Sequence, residues 1–316
     1  MRHGVSLSSL DTELAAGTGV TKRALVDYLE AVGELMLPAL RDRPLSVIRS
    51  TRGQDAFMQK NLPKHAPDWI ERESMWAESS QRTVDYAVCN DVSTLIWFAN
   101  QRAVEYHVPF VHLEDLDAPT HLVIDIDPPE GAGFRAAAGA ARHVHAALTE
   151  IGLDAAVKAS GAKGVHIVVP VEGATSDDAS AATRAIAGRA AQLDPESLTT
   201  AFLKEDRGGR VFLDATRSGL NTVVSVYSPR LRPGVPVSWP LAWDELDRFD
   251  PGDVTITTAI GLLGEHDPWT SRLPAPQRLP DDLVAEGHGI PVPRVAAMHE
   301  GKRRKAAGGS TVRKKP

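Results

Sequence analysis

One short run constrains the fold of this chain more than any other. His121 to Asp127 is apolar and mostly β-branched before its acids, and Pro128-Pro129 follows it directly. Such residues favour a buried strand, and two successive prolines cannot continue a hydrogen-bonded ladder. Asp125 and Asp127 lie two positions apart, so both side chains leave the strand on one face, with Cα atoms about 6.5–7 Å apart. The sequence therefore predicts a buried strand that presents two carboxylates at its end.

Two like charges at this separation repel each other, and a hard divalent cation with oxygen ligands would neutralise both. Paired ions of this kind can activate an attacking hydroxyl and stabilise the oxygen of a leaving phosphate. An Asp-x-Asp pair is also common in loops and helix caps. The pair alone therefore leaves both a metal site and a structural role open.

Composition narrows the class of protein. With 316 residues, 42% of them hydrophobic, the chain can bury a large core in one domain or two. Its single cysteine, Cys89, excludes an internal disulfide framework and a cysteine-based zinc site, as is usual in a reducing cytoplasm. No apolar run approaches about 18 residues, and no basic-then-apolar leader is visible, so we expect neither a membrane span nor secretion.

The net charge of −6 is unevenly distributed. Lys302 to Pro316 contains seven Lys and Arg residues and no acid, so this run carries +7 and leaves −13 on the rest of the chain. We expect residues 299–316 to form a basic, disordered tail that can lie along a polyanion, with a merely solvated terminus as the alternative. Because the body is acidic, any nucleic acid must be held by local basic pockets.

A glycine-rich run follows the acidic strand. Ser160 to His166 predicts a turn that enters a strand, and its glycines would let backbone N–H groups approach a phosphate. Ser160 can donate a hydrogen bond and Lys163 supplies charge. The run is not a Walker loop, because its lysine leads into a strand rather than a helix. A tight turn with an exposed lysine is the structural alternative.

Other runs complete the pattern. Val211 to Asp214 predicts a short apolar strand that ends in a third acid. Val223 to Arg230 predicts a strand that ends in an arginine. Thr21 to Met36 predicts a helix that Thr21 caps and that stops before Pro38. His107 and His112 lack a partner spacing and are interpreted as structural. Alternating strands and helices favour an α/β or α+β architecture that brings three acids and a phosphate-binding turn to one end of a sheet.

The order of these motifs is specific. Along the chain come Asp-x-Asp, Ser-Gly-x-Lys-Gly-x-His, a strand-end Asp, and Tyr-Ser-x-Arg followed by Arg-Pro-Gly-x-Pro-Val-Ser. This order closely resembles the polymerase domain of bacterial ATP-dependent ligase D, a member of the archaeo-eukaryotic primase superfamily that works in non-homologous end joining. Further landmarks, such as Arg43-Pro44-Leu45-Ser46 and Lys64-His65-Ala66-Pro67, extend the resemblance over roughly residues 5 to 292.

The resemblance implies a primase-polymerase core, α+β or α/β, with a central mixed or antiparallel β-sheet flanked by helices. It implies one domain over residues 1–298, with an N-terminal α/β part at about 1–115 and a catalytic core at about 116–298. No ligase or nuclease module is recognisable, so we expect a stand-alone polymerase. The implied partners are DNA with a primer-template or broken ends, an NTP or dNTP, Ku and a separate DNA ligase, in the cytoplasm at the bacterial nucleoid.

The resemblance also implies template-directed nucleotidyl transfer with two Mn²⁺ or Mg²⁺ ions per site, often with a preference for ribonucleotides. By similarity, Asp125 and Asp127 bridge both metals, and Asp214 completes the site that activates the primer's 3′ hydroxyl. The triphosphate-binding residues implied are Ser160, Gly161, Lys163, Gly164, His166 and Arg230, and the DNA-binding residues implied are Lys22, Phe57, Gln59 and Lys60. Phe57 would stack on the template base.

Some positions depart from the family pattern. Thr12 stands where the family usually has a lysine and Ala16 where it has a proline, which leaves recognition of a 5′ phosphate open. Met58 replaces a second aromatic residue, and Asn61 replaces a histidine. A non-catalytic DNA end-binding or bridging protein and a metal-dependent phosphoesterase are the alternative functions. The intact acids and triphosphate turn favour polymerisation over both.

Overall fold

The structure is a computed structural model that describes residues 1–14, 17–50, 55–77, 81–264 and 266–292. The expected basic tail at 299–316 and the Ala16 position lie outside these ranges. The helices described are α1 Lys22–Leu40, α2 Val92–Asn100, α3 Phe134–Glu150, α4 Ser176–Leu193, α5 Pro268–Arg272 and α6 Asp281–Gly289. Within these residues, no helix is both long and apolar enough to cross a membrane.

The first sheet belongs mainly to the N-terminal part. Its strands are β1 Pro44–Arg49, β2 Phe57–Gln59, β3 Arg72–Ala77, β4 Arg82–Val88 and β5 Ala103–Val108, joined by β13 Val223–Val224. The order is β13-β5-β1-β4-β3, and β2 also pairs with β1. A small hairpin of β6 Val111–His112 and β7 Asp115–Pro119 leads out of this sheet. Since β13 comes from late in the chain, it ties the C-terminal half to this sheet.

The second sheet carries the predicted acidic strand at its centre. Its strands are β8 His121–Asp127, β9 Ala156–Ala159, β10 Val165–Pro170, β11 Leu198–Thr199, β12 Val211–Asp214 and β14 Pro240–Leu241. They follow the order β11-β12-β8-β10-β9-β14, and every pairing is antiparallel except that of β11 with β12. The predicted mixed sheet flanked by helices is therefore confirmed.

Helix α1 shows where the sequence pattern was right and where it was wrong. Thr21 caps it as predicted, since its hydroxyl accepts a hydrogen bond from the Ala24 amide, and residues such as Leu25 and Val32 are fully buried. The predicted stop before Pro38 was wrong, because the helix continues to Leu40. Pro38 falls within the last turn. Its missing N–H therefore removes one hydrogen bond near the end of the helix and does not break the helix in the middle.

Candidate active site

Strand register brings the predicted acids together. Asp214 on β12 lies directly opposite Asp125 on β8, and His166 on β10 lies opposite Asp125 from the other side. Directly opposed residues project from the same face, with Cβ atoms about 4.5–5.5 Å apart. Asp127 shares that face because it is two positions beyond Asp125. The structure thus places three carboxylates and His166 in one cluster at the end of β8.

Arg217 lies among these carboxylates. Its Nε is 3.1 Å from Asp214 Oδ2 and 3.4 Å from Asp125 Oδ2. The other oxygen of Asp214 accepts hydrogen bonds from the Thr216 amide at 2.8 Å and hydroxyl at 2.6 Å, which fixes the carboxylate plane. Sequence reasoning gave Arg217 no role. The available signal was a basic residue three positions after a strand-end acid.

The cluster carries more negative charge than its protein surroundings neutralise. Burial and the neighbouring charges of Asp125 and Asp214 raise the pKa of Asp127 to about 6. Burial opposes ionisation of Asp125 as well, but the charge and hydrogen bond of His166 and the charge of Arg217 lower its pKa to about 2. A divalent cation would relieve the repulsion that the Asp127 pKa reports.

The donor set therefore fits hard cations, since carboxylate oxygens are the ligands that Mg²⁺ and Mn²⁺ prefer. In the described ranges, however, no group of three or more His, Cys, Asp or Glu side chains is arranged so that it could hold a metal ion. Arg217 instead contacts two of the three acids. A metal ion at these oxygens would compete with the Arg217 guanidinium.

A buried lysine stands behind His166. The Lys158 ammonium lies 3.0 Å from His166 Nδ1, 3.0 Å from the Val224 carbonyl and 2.7 Å from the Ser238 hydroxyl. Three acceptors match the three donors of an ammonium, so Nδ1 of His166 accepts and its Nε2 carries the proton. That Nε2 is 3.2 Å from Asp125 Oδ1. Burial lowers the pKa of Lys158 to about 7 and that of His166 to about 4, so the imidazole is neutral at pH 7.

The glycine-rich turn forms where the sequence predicted it, and it is closely packed. The Ser160 amide donates to the Gly164 carbonyl at 2.9 Å and closes the turn. Gly161 has φ +73°, and a Cβ there would lie 2.6 Å from Arg230 Cγ. A Cβ at Gly164 would lie 2.8 Å from the Ile126 carbonyl. Only glycine fits at either position, so the turn is held tightly between the acidic strand and the segment that carries Arg230.

A cavity of about 330 Å³ opens between the turn and the acids. Its lining includes Met58, His107, Asp125, Asp127, Ser160, Lys163, Gly164, His166, Arg217, Arg230 and Arg232. Lys163 is exposed, and its ammonium donates to the Pro129 carbonyl at 2.8 Å. The cavity therefore has carboxylates at one side and several cations around it, as a nucleotide with bound metal ions would require.

Glu105 organises the cationic wall of this cavity. Its carboxylate, almost completely buried, accepts from Arg230 Nε at 3.0 Å and from the Leu231 amide at 2.9 Å, and it lies 3.0 Å from His107 Nε2. Arg230 also donates to the Ser160 carbonyl. The interpretation of His107 as merely structural missed its place in the cavity wall. Glu105 and His107 stand two apart on β5, a spacing that could have indicated a shared face.

The predicted DNA-binding residues divide into two groups. Phe57 is 43% exposed, Lys60 is exposed, and Gln59 accepts from Arg49 at 2.7 Å, all on or just after β2. Lys22 lies in a different environment from these three residues. Only 4% of it is exposed, and its ammonium donates to the carbonyl and side-chain oxygens of Asn100 at 3.1 and 3.0 Å. In this structure Lys22 bridges two helices instead of facing a DNA phosphate.

Comparison with known proteins decides the family. The family model described as "LigD, primase-polymerase domain" matches residues 21–269. The chain belongs to this family. The LigD primase-polymerase family thus accounts for the order of motifs, from the helix α1 to the segment after Arg230.

Individual members of the LigD family agree with this assignment. The "Multifunctional non-homologous end joining protein LigD" of Mycolicibacterium smegmatis is 32% identical over 286 residues, which cover 89% of this chain and 37% of that protein. The "Bifunctional non-homologous end joining protein LigD" of Bacillus subtilis is 33% identical over 265 residues, covering 82% of this chain and 42% of that protein. The chain thus spans about two fifths or less of the length of these curated relatives.

A solved LigD structure shares the fold. The "Polymerase Domain from Mycobacterium tuberculosis Ligase D in complex with DNA" is 33% identical and superposes with a TM-score of 0.74. The match covers 82% of this chain and 93% of that one. The α+β architecture of this chain is therefore that of a LigD polymerase domain.

Proposed function

We propose that this chain is a template-directed nucleotidyltransferase that extends or fills DNA ends in double-strand break or gap repair. One observation carries the proposal: strand register places Asp125, Asp127 and Asp214 in one cluster beside the closed turn at Ser160 to Gly164. The similar LigD proteins named above support the setting of non-homologous end joining. The DNA complex of the solved polymerase domain supports DNA as the substrate.

The cavity residues have distinct roles in this proposal. Ser160, Lys163 and His166 bind the triphosphate, and the Arg230 guanidinium contacts its outer phosphates. The three aspartates would hold two divalent ions, Mn²⁺ or Mg²⁺, which supply charge neutralisation at the attacking and leaving oxygens.

The remaining residues position the reaction. Asp214 faces the 3′ hydroxyl that attacks, and its two hydrogen bonds from Thr216 keep it in place. Phe57, with its exposed ring, stacks on a template base, and Lys60 contacts the DNA backbone. We extend the proposal to ribonucleotide use, to Ku and a separate DNA ligase as partners, and to a location at the bacterial nucleoid.

Primer extension with Mn²⁺ tests the assignment. Wild-type protein should add nucleotides to a labelled primer only when a template is present, and Asp125→Ala should abolish the extension. Asp253→Ala removes an exposed acid outside the cluster and serves as the control that keeps wild-type activity.

The same assay separates the alternative functions. A phosphoesterase would release phosphate without a primer, and a bridging protein would bind DNA ends without extending them. Equal extension by the wild type and Asp125→Ala would refute the proposal.

A further inference from the structure

Arg217 contacts the two carboxylate oxygens that a metal ion would need. Its Nε is 3.1 Å from Asp214 Oδ2 and 3.4 Å from Asp125 Oδ2. The other oxygen of Asp125 lies 3.2 Å from His166 Nε2, and the other oxygen of Asp214 accepts from Thr216. Each carboxylate therefore has one oxygen held by a neighbour and one oxygen beside the same guanidinium. The oxygens beside the guanidinium are the ones that remain for a divalent cation.

The contact between Arg217 and the acids is close but poorly directed. Although both distances are short, the Nε of Arg217 has no partner in hydrogen-bond geometry within the described ranges. The Arg217 side chain is 39% exposed, whereas those of Asp214 and Asp125 are 5% and 15% exposed. An ion pair with a partly exposed side chain contributes little stability. The guanidinium can therefore leave the acids at a small cost in free energy.

The loop backbone around Arg217 is held in place, while its side chain borders open space. Asn221 Nδ2 donates to the carbonyls of the two flanking residues, Thr216 at 2.9 Å and Ser218 at 3.4 Å. The Ser218 hydroxyl lies 3.0 Å from the Thr183 hydroxyl on α4. Arg217 lines the cavity beside the triphosphate turn and also an adjoining cavity of about 400 Å³. Its guanidinium can thus turn away from the acids without a change in the loop backbone.

The charge that surrounds Arg217 depends on metal binding. Three carboxylates beside one guanidinium leave the cluster negative, because His166 is neutral, so the guanidinium is attracted to the cluster. With two divalent ions bound, the cluster would have an excess of positive charge, and the guanidinium would be repelled. A triphosphate in the cavity beside it would offer Arg217 an anionic partner instead.

We infer that Arg217 is a displaceable counter-ion, which neutralises Asp125 and Asp214 in the metal-free protein and leaves them when a divalent cation binds. The inference rests on the proposed function, because it requires these aspartates to bind metal. It goes beyond that function because Arg217 then sets how tightly the site binds a metal ion. Competition with the guanidinium lowers the metal affinity of the nucleotide-free protein. Removing the charge of Arg217 should therefore strengthen metal binding, a direction that damage to the site would not produce.

Titration of Mn²⁺ into nucleotide-free protein tests the inference, with free Mn²⁺ measured by electron paramagnetic resonance. Arg217→Gln removes the charge, so its Kd for Mn²⁺ should be about three- to ten-fold lower than that of wild type. Arg217→Lys keeps the charge, and its Kd should stay within about two-fold of wild type. Arg278→Gln is the matched control, because it removes the same charge from a side chain that is 85% exposed.

The control residue lies at the far end of the sheet. Gln277, next to Arg278, donates its amide to the Pro170 carbonyl, and Pro170 pairs with His121 at the start of β8. From His121 to Asp127, β8 extends about 20 Å. This length exceeds the screening length of about 8 Å at 0.15 M salt. Arg278→Gln should therefore leave the Kd for Mn²⁺ unchanged.

Urea denaturation gives a second readout that does not depend on activity. In EDTA, Arg217→Gln should unfold at a lower urea concentration than wild type, because two carboxylates lose their counter-ion. Saturating Mn²⁺ should raise the midpoint of Arg217→Gln more than that of wild type, since a ligand stabilises the folded state in proportion to the logarithm of its affinity. Arg278→Gln should respond to Mn²⁺ as wild type does.

Several outcomes would overturn the inference. They are a Kd for Arg217→Gln that equals or exceeds the wild-type value, equal tightening by Arg278→Gln or Arg217→Lys, and an equal gain in midpoint on adding Mn²⁺. Absence of Mn²⁺ binding by wild type and Arg217→Gln alike would overturn it too. The expected order of Kd values without template-dependent extension by wild type would instead refute the proposed function.

Discussion

Replacing Glu105 by glutamine should destabilise the protein by an amount that depends on pH. Burial alone would raise the pKa of Glu105, but the hydrogen bond from His107, the charge of Arg230 and the Leu231 amide lower it from 4.5 to about 2. A lowering of this size corresponds to about 3 kcal/mol of folding stability at neutral pH. Solvent screening reduces this contribution to stability only slightly, because only 7% of Glu105 is exposed.

The stability contributed by the Glu105 charge depends on pH because the pKa of Glu105 is lower in the folded state than in the unfolded state. A carboxyl with a lowered pKa in the folded state stabilises the fold fully above its unfolded value of 4.5. That contribution is lost as the pH falls through about 2. Glu105→Gln keeps the shape and removes the charge, so it should lose about 3 kcal/mol relative to wild type at pH 7. The difference should shrink to about 2 kcal/mol at pH 3.5.

Urea denaturation followed by tryptophan fluorescence at the two pH values measures this difference. Glu196→Gln, which changes an exposed glutamate, should show no loss at either pH. Glu105→Gln should also raise the KM for nucleotide, because Arg230 loses the carboxylate that orients its guanidinium. A loss of stability that is equal at pH 7 and pH 3.5, or no loss at pH 7, would show that the buried charge does not stabilise this wall.

Three further changes test other parts of the site. Burial and two neighbouring aspartates raise the pKa of Asp127 from 3.8 to about 6, so Asp127→Asn should gain about 3 kcal/mol of stability at pH 8 in EDTA. Urea titrations should show that this gain vanishes below about pH 4. Lys158→Met should remove the hydrogen bond that fixes the tautomer of His166. The ¹⁵N spectra should therefore show only the Nε2–H tautomer in wild type and a mixture of both tautomers in the variant. Gly173→Ala should cost about 1 kcal/mol from backbone strain at φ +70°, whereas Gly161→Ala should cost about 3 kcal/mol or more by thermal unfolding, since its Cβ also meets atoms at 2.6–2.8 Å.

Local sequence signals predicted the elements that depend on local chemistry. The strand at His121–Asp127 and the turn at Ser160 to Gly164 were predictable because β-branched residues, prolines and glycines restrict the backbone directly. The effect of Pro38 on its helix was misjudged, because a proline in the last turn removes only one backbone hydrogen bond. No local signal indicated where the Lys22 ammonium lies, because the Asn100 oxygens that hold it are 78 residues away in sequence.

The rest of the site depends on long-range pairing that no local pattern specifies. Glu105 meets Arg230 across 125 residues, and the pairing of β13 with β5 brings the Val224 carbonyl over Lys158. The spacing of Glu105 and His107 was visible in the sequence, but their partners were not. A charged residue such as Lys158 inside an apolar strand was the clearest unused signal, because a buried lysine requires nearby acceptors.

Strand register determines the order in which the charged residues of this site lie across the sheet. Across β12, β8, β10 and β9, the directly opposed residues are Asp214, Asp125, His166 and Lys158, so one row runs from two acids to a neutral imidazole and a buried lysine. A shift of any strand by one residue would turn its member of the row to the opposite face. In the proposed function, the acidic end of this row would hold cations and face the attacking hydroxyl, and the other end would meet the triphosphate. Backbone pairing therefore fixes the order of these charges across the sheet.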